Sequence, residues 1–524
     1  MGKPLARIFV IGLDAYDKDL AARWAAEGKL PNIAKLHGVS VETEVENPRG
    51  LDAGVVWPCF QTGVTPARHG QFEGVRQFDS ENYVHRFMDP DETSNYYFWN
   101  HLTKHNKRSC YVDAPYVHFP GAINGMAVWD WGTHSESSGH TQLILKTHPP
   151  ELADEIKERF WPDPLERQLC DNLRPKKLDE IKWYYNGILK RIEMRIAMNK
   201  YLLDKGDWDF FQMVFPEAHS AGHHLWFLHD ENHPDHDAET RAALGFDPLL
   251  KIYQAIDDGV GDLWDYAGEE SVTLCYLSHG MGPEYSGTRM LDRMLAALDG
   301  QKTTDYKKGS TNMLRSAWRS LPEGMRRKLK PMQRRAWNKV YNDGFQPNRE
   351  GRRFFEVYLN NRSAGVRLNV IGREKHGKIR REDYDKVIAE LDAELREFIN
   401  VETNEPLVVD VVPVQDLFEH KGERLEHLPD VAVTWNTNAP INKVWSPKTG
   451  EIVNEHLSHR TGDHRPVGKV FVRGPGLEPR LMNGRINVLD FVPTFCEILN
   501  IPQADSDGEP VEVLTGVPNM QAAE

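Results

Sequence analysis

One stretch of the chain combines a buried strand with side chains that could bind a metal ion. Residues 210–215 are large and apolar, which predicts a strand that ends before Pro216. His219 and His223 follow with a four-residue spacing, so a helix here would place both imidazoles on one face. Glu217 is a candidate general base or a hydrogen-bond partner that orients a metal ligand. A strand continuing through it would aim Glu217 and His219 the same way. The stretch predicts either a metal site at a strand end or a pair of structural histidines.

Two other predicted strands end in residues with the same chemistry. Residues 8–13 form a continuous apolar run, typical of a strand buried on both faces, and Asp14 follows it. Asp14 is equally a candidate metal ligand and a candidate helix N-cap. Residues 271–277 form a similar run that leads into Ser278, His279 and a glycine turn.

Composition sets bounds on size, partners and location. The 524 residues are 40% hydrophobic and 27% charged, which suits a globular protein with a sizeable core. A net charge of −14 argues against general nucleic-acid binding, which depends on Lys and Arg. Five cysteines without CxxC spacing predict reduced thiols. No apolar run reaches the roughly 18 residues of a membrane span, and the chain opens on a strand without a signal pattern, so we expect a cytoplasmic protein.

The order of predicted elements indicates one large α/β domain with insertions. Residues 1–284 and 356–524 would form the two parts of its core, with a helical insertion near 150–205. Residues 285–355 are predicted to be a basic helical insertion or cap, because 302–336 hold eleven Lys and Arg residues. This basic run is either a solvated face or a lid that draws an anionic substrate toward the site.

Strands are predicted again toward the C-terminus, as the remainder of the core. Short apolar runs lie at 366–371, 407–412, 431–435 and 469–473. A polar loop precedes the last of them and contributes another histidine, His464.

Short motifs appear in one order along nearly the whole chain. They include TGVTPARHG at 62–70, SHGMG at 278–282 and GDHRPVG at 462–468, with others at 8–14, 30–36, 215–226, 372–377, 428–435 and 490–494. In these motifs the chain resembles the type I phosphodiesterase/nucleotide pyrophosphatase branch of the alkaline phosphatase superfamily. The resemblance implies an alkaline-phosphatase-like α/β fold, with a mixed, mostly parallel central sheet, helices on both faces and, here, an inserted helical cap.

The resemblance also implies two divalent metal ions, usually zinc, at the strand ends. Transferred by position, the first ion would be held by His219, His223 and His464. The second ion would be held by Asp14 and His279.

The chain departs from the family pattern at three positions that matter for the chemistry. The slot of the nucleophilic Thr or Ser holds Ala53, although a shift of one residue would place Asp52 there. Ser278 stands where the family has the Asp that precedes its second-site histidine, and His219 stands where it has an Asp ligand. Ala53 cannot form a covalent phospho-enzyme, so the usual mechanism would need a substitute.

These departures favour a three-histidine site with an open position, the kind that lowers the pKa of bound water toward about 7. The second site, left with Asp14 and His279 and at most Asp52 besides, would be weak or empty. We therefore predict one zinc ion, with a second optional. The candidate catalytic residues are Glu217, Asp52 and Ser278, with Cys59 and Thr62 as further substitutes for the missing nucleophile.

The sequence thus predicts a metal-dependent hydrolase of phosphodiesters or related phosphate esters, acting through metal-bound hydroxide. Its partner would be a small anionic substrate held by Arg68 and Arg465, with no nucleic acid and no membrane. A homo-oligomer is compatible with the sequence. Two alternatives stay open: a divergent member that uses the three-histidine site for non-hydrolytic chemistry on a small metabolite, and a non-catalytic metal-binding descendant.

Overall fold

A computed structural model describes most of the chain. The described residues are 6–51, 53–72, 74–132, 145–166, 175–287, 289–301, 325, 329, 349–357, 359, 362–419, 422–453, 460–511 and 514. Asp52 and nearly all of the basic run 302–336 lie outside them. The predicted role of Asp52 and the predicted lid are therefore not addressed by the structure.

Strands and helices alternate along the described chain. The strands are β1 (Ala6–Leu13), β2 (Val41–Glu46), β3 (Arg76–Asp79), β4 (Val84–Phe87), β5 (Ser109–Val112), β6 (Gly125–Trp129), β7 (Lys146–His148), β8 (Trp208–Phe215), β9 (Val272–Leu277), β10 (Gly280–Pro283), β11 (Phe354–Val357), β12 (Ser363–Leu368), β13 (Ile399–Asn400), β14 (Val408–Pro413), β15 (Val431–Trp435), β16 (Lys443–Ser446), β17 (Gly450–Val453), β18 (Gly462–Arg465), β19 (Gly468–Arg473) and β20 (Arg480–Asn487). The helices are α1 (Lys18–Ala26), α2 (Pro31–Val39), α3 (Ala53–Thr62), α4 (Pro66–His69), α5 (Phe98–Lys104), α6 (Leu152–Arg159), α7 (Leu178–Leu203), α8 (Glu217–His229), α9 (Ala238–Leu244), α10 (Pro248–Ala267), α11 (Met290–Leu298), α12 (Tyr384–Arg396) and α13 (Phe491–Ile498). Among these described helices, none is both long and apolar enough to cross a membrane.

The central sheet has nine strands in the order β20-β2-β19-β9-β1-β8-β5-β6-β7. Its five middle strands, from β9 to β6, are all parallel. The strand β19 runs antiparallel to β9 and to β2, and β7 runs antiparallel to β6. The prediction of a mixed, mostly parallel sheet is therefore confirmed.

Helices cover both faces of this sheet because its middle strands are apolar on both sides. Phe9, Ile11 and Leu13 of β1 belong to a core cluster shared with α1, α2, α7, α8 and α10. Ile8 and Val10 point the other way, into a second cluster shared with α3, α5 and α13. The alternation of side chains along β1 thus builds two hydrophobic layers, one on each face.

A smaller antiparallel sheet lies outside the central one. Its order is β11-β12-β15-β14, and with α11 and α12 it encloses a third core cluster. The strands predicted at 366–371, 407–412 and 431–435 correspond to this sheet, whereas the one predicted at 469–473 is β19 of the central sheet. The predicted boundaries at 284 and 355 stay a prediction, but not every C-terminal strand extends the main sheet.

Candidate metal centre

Three neighbouring parallel strands, β9, β1 and β8, end side by side at the site. The residues that follow them are Ser278, Asp14 and Pro216. The Asp14 amide donates to the carbonyl of the last β8 residue at 3.0 Å, and the Ser278 amide donates to that of the last β1 residue at 3.1 Å. The polar residues Asp14 and Ser278 and the start of the segment after β8 are thereby brought together at one edge of the sheet.

The helix α8 begins at Glu217, directly after β8, and carries His219 and His223. Their ring centroids are 4.5 Å apart, their Nε2 atoms are 2.9 Å apart, and both residues are buried. The prediction that a helix places both imidazoles on one face is confirmed. The idea that the strand continues through Glu217 is wrong, since Pro216 ends it. On a helix, residues two apart point about 200° away from each other, so Glu217 and His219 face different directions.

His464 reaches the same point from a distant part of the sequence. It lies in β18, which pairs antiparallel with β10 and sets His464 opposite Met281. Its ring centroid is 5.0 Å from that of His219 and 4.7 Å from that of His223. One possible ligand atom from each of the three histidines lies within 4.8 Å of the others. The structure therefore brings the three predicted metal ligands together.

The donor set of these histidines fits a divalent cation. The Nδ1 atom of His223 lies 2.7 Å from the carbonyl oxygen of Gly462, so it carries the hydrogen and donates it. The His223 Nε2 lone pair then faces His219, as a metal ligand requires. Burial, followed by the positive charge of Arg460, lowers the pKa of His223 well below its usual value. The ring is thereby kept in the neutral form that binds metals.

Asp14 lies beside this group, but its carboxylate already accepts hydrogen bonds. The Trp57 indole Nε1 donates to Oδ1 at 2.8 Å, and Ser278 Oγ lies 3.3 Å from the same oxygen. The other oxygen, Oδ2, lies 3.4 Å from His219 Nδ1. Asp14 is thus tied to the histidine cluster and to the helix α3 at the same time.

Ser278 and His279 complete this side of the site. The Ser278 hydroxyl lies 3.0 Å from His279 Nδ1 and 3.3 Å from the Leu13 carbonyl. The His279 ring centroid is 4.9 Å from that of His464. Burial lowers the pKa of His279 to about 3, so this imidazole is neutral. Among the described residues, no hydrogen-bond partner reaches its Nε2 atom.

Glu217 belongs to a buried ion-pair network. Arg195 Nε donates to Glu217 Oε1 at 3.0 Å, and Arg195 Nη1 donates to Asp113 Oδ2 at 3.0 Å. Burial raises the pKa of Glu217, and the charge of Arg195 opposes this shift. Its role as a general base stays a prediction, because these contacts tie Glu217 to α7.

Among the described residues around the missing nucleophile, which exclude Asp52, Cys59 and Thr62 do not present an accessible substitute group. Ala53 is the buried first residue of α3. The Thr62 hydroxyl donates to the Pro58 carbonyl at 2.7 Å. Cys59 Sγ lies 3.5 Å from His69, and burial raises the pKa of its thiol well above the usual value. Neither side chain has the exposure and lowered pKa of an activated nucleophile.

The arginines differ in how far their charges are compensated. Arg68 pairs with Asp505 at 2.5 Å and with Asp507 at 2.7 Å. Arg465 is 42% exposed and lies 3.6 Å from Asp17. Arg460, next to the cluster, was not singled out from the sequence, although it lies in the same polar loop as His464.

Trp57 is the other residue that the sequence analysis missed. It lies four residues, about one helical turn, after the nucleophile slot at Ala53. That spacing indicates that Trp57 and the nucleophile slot lie on the same side of α3, facing the strand ends.

The structure is similar over nearly its whole length to phosphonoacetate hydrolase from Sinorhizobium meliloti 1021. The complexes with phosphonoformate and phosphonoacetate align with TM-scores of 0.50 and 0.52 at 13% and 12% sequence identity, covering 95% of this chain and 96% of that chain. Murine ectonucleotide pyrophosphatase/phosphodiesterase 5 aligns with a TM-score of 0.46 at 11% identity, covering 96% and 97%. No curated protein sequence is significantly similar to this chain.

The match to a family model over most of the chain defines an enzyme of the metal-dependent phosphoester hydrolase class. The chain belongs to the type I phosphodiesterase/nucleotide pyrophosphatase family, whose model matches residues 8–461. The family resemblance, the alkaline-phosphatase-like fold and the enzyme class predicted from the sequence are confirmed.

Proposed function

We propose that the chain hydrolyses a phosphodiester or a related phosphate ester at the centre formed by His219, His223 and His464. The supporting observation is the convergence of three buried imidazoles with one possible ligand atom each within 4.8 Å of the others. These three imidazoles would hold a divalent cation, with zinc as the expected ion, and that ion would supply Lewis acidity and lower the pKa of water at the site.

We infer that the ester is cleaved in one displacement by water. Ala53 has no nucleophilic atom, so the covalent intermediate of the family pattern cannot form at that position. With no covalent intermediate, the reaction inverts the configuration at phosphorus, whereas two successive displacements retain it. A phosphodiester made chiral with sulfur distinguishes the two outcomes. Retention would contradict attack by water and would restore a protein nucleophile.

We expect Arg460 to hold the negative charge of the substrate. Its guanidinium is close enough to His223 to lower the pKa of that imidazole. Arg68 is less suited, because two carboxylates compensate its charge. Arg465, which is 42% exposed and follows His464 in the sequence, is a second candidate cation. The small anionic substrate, the cytoplasmic location and any homo-oligomer remain predictions from the sequence.

Turnover assays on the zinc-loaded protein test the proposal. We expect faster hydrolysis of bis-p-nitrophenyl phosphate than of the p-nitrophenyl monoester, with phosphonoacetate as a third substrate. The variant His464→Ala, measured beside the wild type, should lose this activity. If zinc-loaded wild-type protein turns over neither ester, the result would contradict phosphate-ester hydrolysis and favour other chemistry. Turnover of phosphonoacetate alone would indicate cleavage of a carbon–phosphorus bond, which is not an ester.

A further inference from the structure

We propose that Asp14 positions His219 and does not bind a second metal ion, so that the chain holds one ion at its three imidazoles. This inference rests on the proposed function only in taking those imidazoles as metal ligands. The family pattern assigns Asp14, together with His279, to a second ion. The contacts of Asp14 in this chain point to a different role.

The Oδ1 atom of Asp14 is covered by hydrogen-bond donors of the protein. The Trp57 indole lies 2.8 Å away, and an indole N–H can only donate. The Ser278 hydroxyl lies 3.3 Å away, where the family has a negatively charged Asp. A cation beside Oδ1 would therefore meet the positive end of the indole N–H dipole and would lack the second carboxylate.

The indole of Trp57 is fixed in this position by close packing. Trp57 is fully buried, and its ring centroid lies 5.6 Å from that of Phe60 and 5.7 Å from that of Tyr276. The ring also lies against Gly12 of β1, where an added Cβ would come within 2.6 Å of the indole. Swinging the indole away to admit a metal ion would leave a cavity in the core.

His279, the other residue of the second position, offers little support for an ion. Its Nδ1 atom faces the Ser278 hydroxyl at 3.0 Å and lies 3.9 Å from Asp14 Oδ1. The remaining nitrogen of His279 and the Asp14 carboxylate, whose Oδ1 already accepts hydrogen bonds, make a poor site for zinc, which takes three or four protein ligands.

The second oxygen of Asp14 faces the imidazole cluster. Its Oδ2 atom lies 3.4 Å from His219 Nδ1, and the Nε2 atom of His219 points toward His223. A carboxylate on the far side of a ligating histidine fixes the ring orientation and tautomer and raises its basicity. In this arrangement the negative charge of Asp14 strengthens the first site instead of forming a second one.

Metal stoichiometry and affinity test this inference without any measurement of activity. We expect one zinc per wild-type chain after equilibrium dialysis, measured by elemental analysis. Asp14→Asn should still bind one zinc, with an affinity lowered about 10- to 100-fold in competition with a chromophoric chelator. Two ions on the wild type would overturn the inference. So would an Asp14→Asn variant with unchanged affinity for its remaining ion.

A second buried carboxylate provides the matched control. Asp257 accepts hydrogen bonds from the backbone amides of Asn32 and Ile33, away from the histidines. Asp257→Asn should therefore leave zinc affinity unchanged, and an equal loss in both variants would overturn a specific role for Asp14. Tight binding of one ion without turnover would contradict only the proposed function, and a wild type without zinc would overturn both.

Discussion

Two buried polar clusters lie at the carboxyl edge of the central sheet and differ in how their charges are balanced. The ion-pair cluster consists of Asp113, Arg195 and Glu217. Its arginine lies 3.0 Å from a carboxylate oxygen on each side, and all three side chains are buried. Each charge in this cluster has an opposite charge beside it, which is how buried ions are held in stable cores.

The imidazole cluster consists of His219, His223 and His464. It contains only bases, and two of its Nε2 atoms lie 2.9 Å apart. The carboxylate of Asp14 lies behind the His219 ring and not among the converging nitrogens. Such a set of lone pairs is completed by a cation, whereas both carboxylates of the ion-pair cluster already face the Arg195 guanidinium.

The comparison shows why closeness in sequence is a poor guide to shared function. Glu217 and His219 are two residues apart, yet α8 turns them into different clusters. Balance of charge, more than burial, separates a structural network from a ligand site.

Removing one imidazole should abolish the metal centre. We expect His464→Ala to lose stoichiometric zinc and roughly 1000-fold in turnover, because the cation supplies several kcal/mol of transition-state stabilisation. Elemental analysis and kinetics on the same samples measure both effects. His224→Ala, at the next position to His223 on α8, is the control and should retain zinc. Full zinc occupancy in His464→Ala would refute the assignment.

Removing the arginine of the ion-pair cluster should mainly affect stability. Arg195→Met leaves the Asp113 and Glu217 carboxylates buried without compensation, and we expect a loss of about 3–5 kcal/mol in unfolding free energy. Urea unfolding measures it. Lys200→Met, on the same helix and in a partly exposed pair with Asp262, should cost less than about 1 kcal/mol. Loss of zinc binding in folded Arg195→Met would contradict the separation of the clusters.

Acid should destabilise the protein through buried imidazoles outside both clusters. Burial lowers the pKa of His69 to about 3, whereas an unfolded histidine titrates near 6.5. The neutral buried imidazole of His69 therefore stabilises the fold fully above about pH 6.5. The free energy of unfolding falls as the pH drops toward 3, by on the order of 3 kcal/mol at pH 4. Urea unfolding of metal-free wild type and metal-free His69→Gln measures the free energy of unfolding at pH 7 and pH 4. We expect this free energy to differ less between the two pH values in His69→Gln than in the wild type.

The expectation for His69 would be contradicted if the unfolding free energies of wild type and His69→Gln depended equally on pH. Such equal dependence would mean that burial of His69 contributes nothing to acid sensitivity. Added zinc should raise the stability of wild type and of His69→Gln but not of His464→Ala, because only an intact imidazole cluster gains a ligand on folding.

The smallest effect is expected for Glu217→Gln. Arg195 keeps a hydrogen-bond acceptor, so we expect a loss of about 1–2 kcal/mol in unfolding free energy and a change in kcat of less than about threefold. A fall in kcat of about 100-fold or more, with zinc still bound, would instead identify Glu217 as a general base. That outcome would join the two clusters into one catalytic unit.

Much of this arrangement could be predicted from the sequence. The apolar runs before Asp14, Ser278 and Pro216 indicate buried strands, and the four-residue spacing places two imidazoles on one face of a helix. His464 required the family resemblance, because it lies in a short strand whose pairing with β10 has no local signal.

Other features depend on packing between distant segments. The hydrogen bond from Trp57 to Asp14 exists because α3 packs on β1 at Gly12, which sequence spacing alone does not specify. The pairing of Glu217 with Arg195 likewise depends on how α7 lies against the sheet. The small antiparallel sheet was not distinguished from the central one, because strands of both have similar apolar runs.

Anomalous X-ray scattering at the zinc absorption edge would locate the bound ion and count the occupied sites. Crystals of the zinc-loaded protein should show a single strong peak between the imidazoles of His219, His223 and His464, with Asp14 outside the coordination sphere. A peak at Asp14 and His279, with or without one among the three imidazoles, would contradict a single three-histidine zinc site.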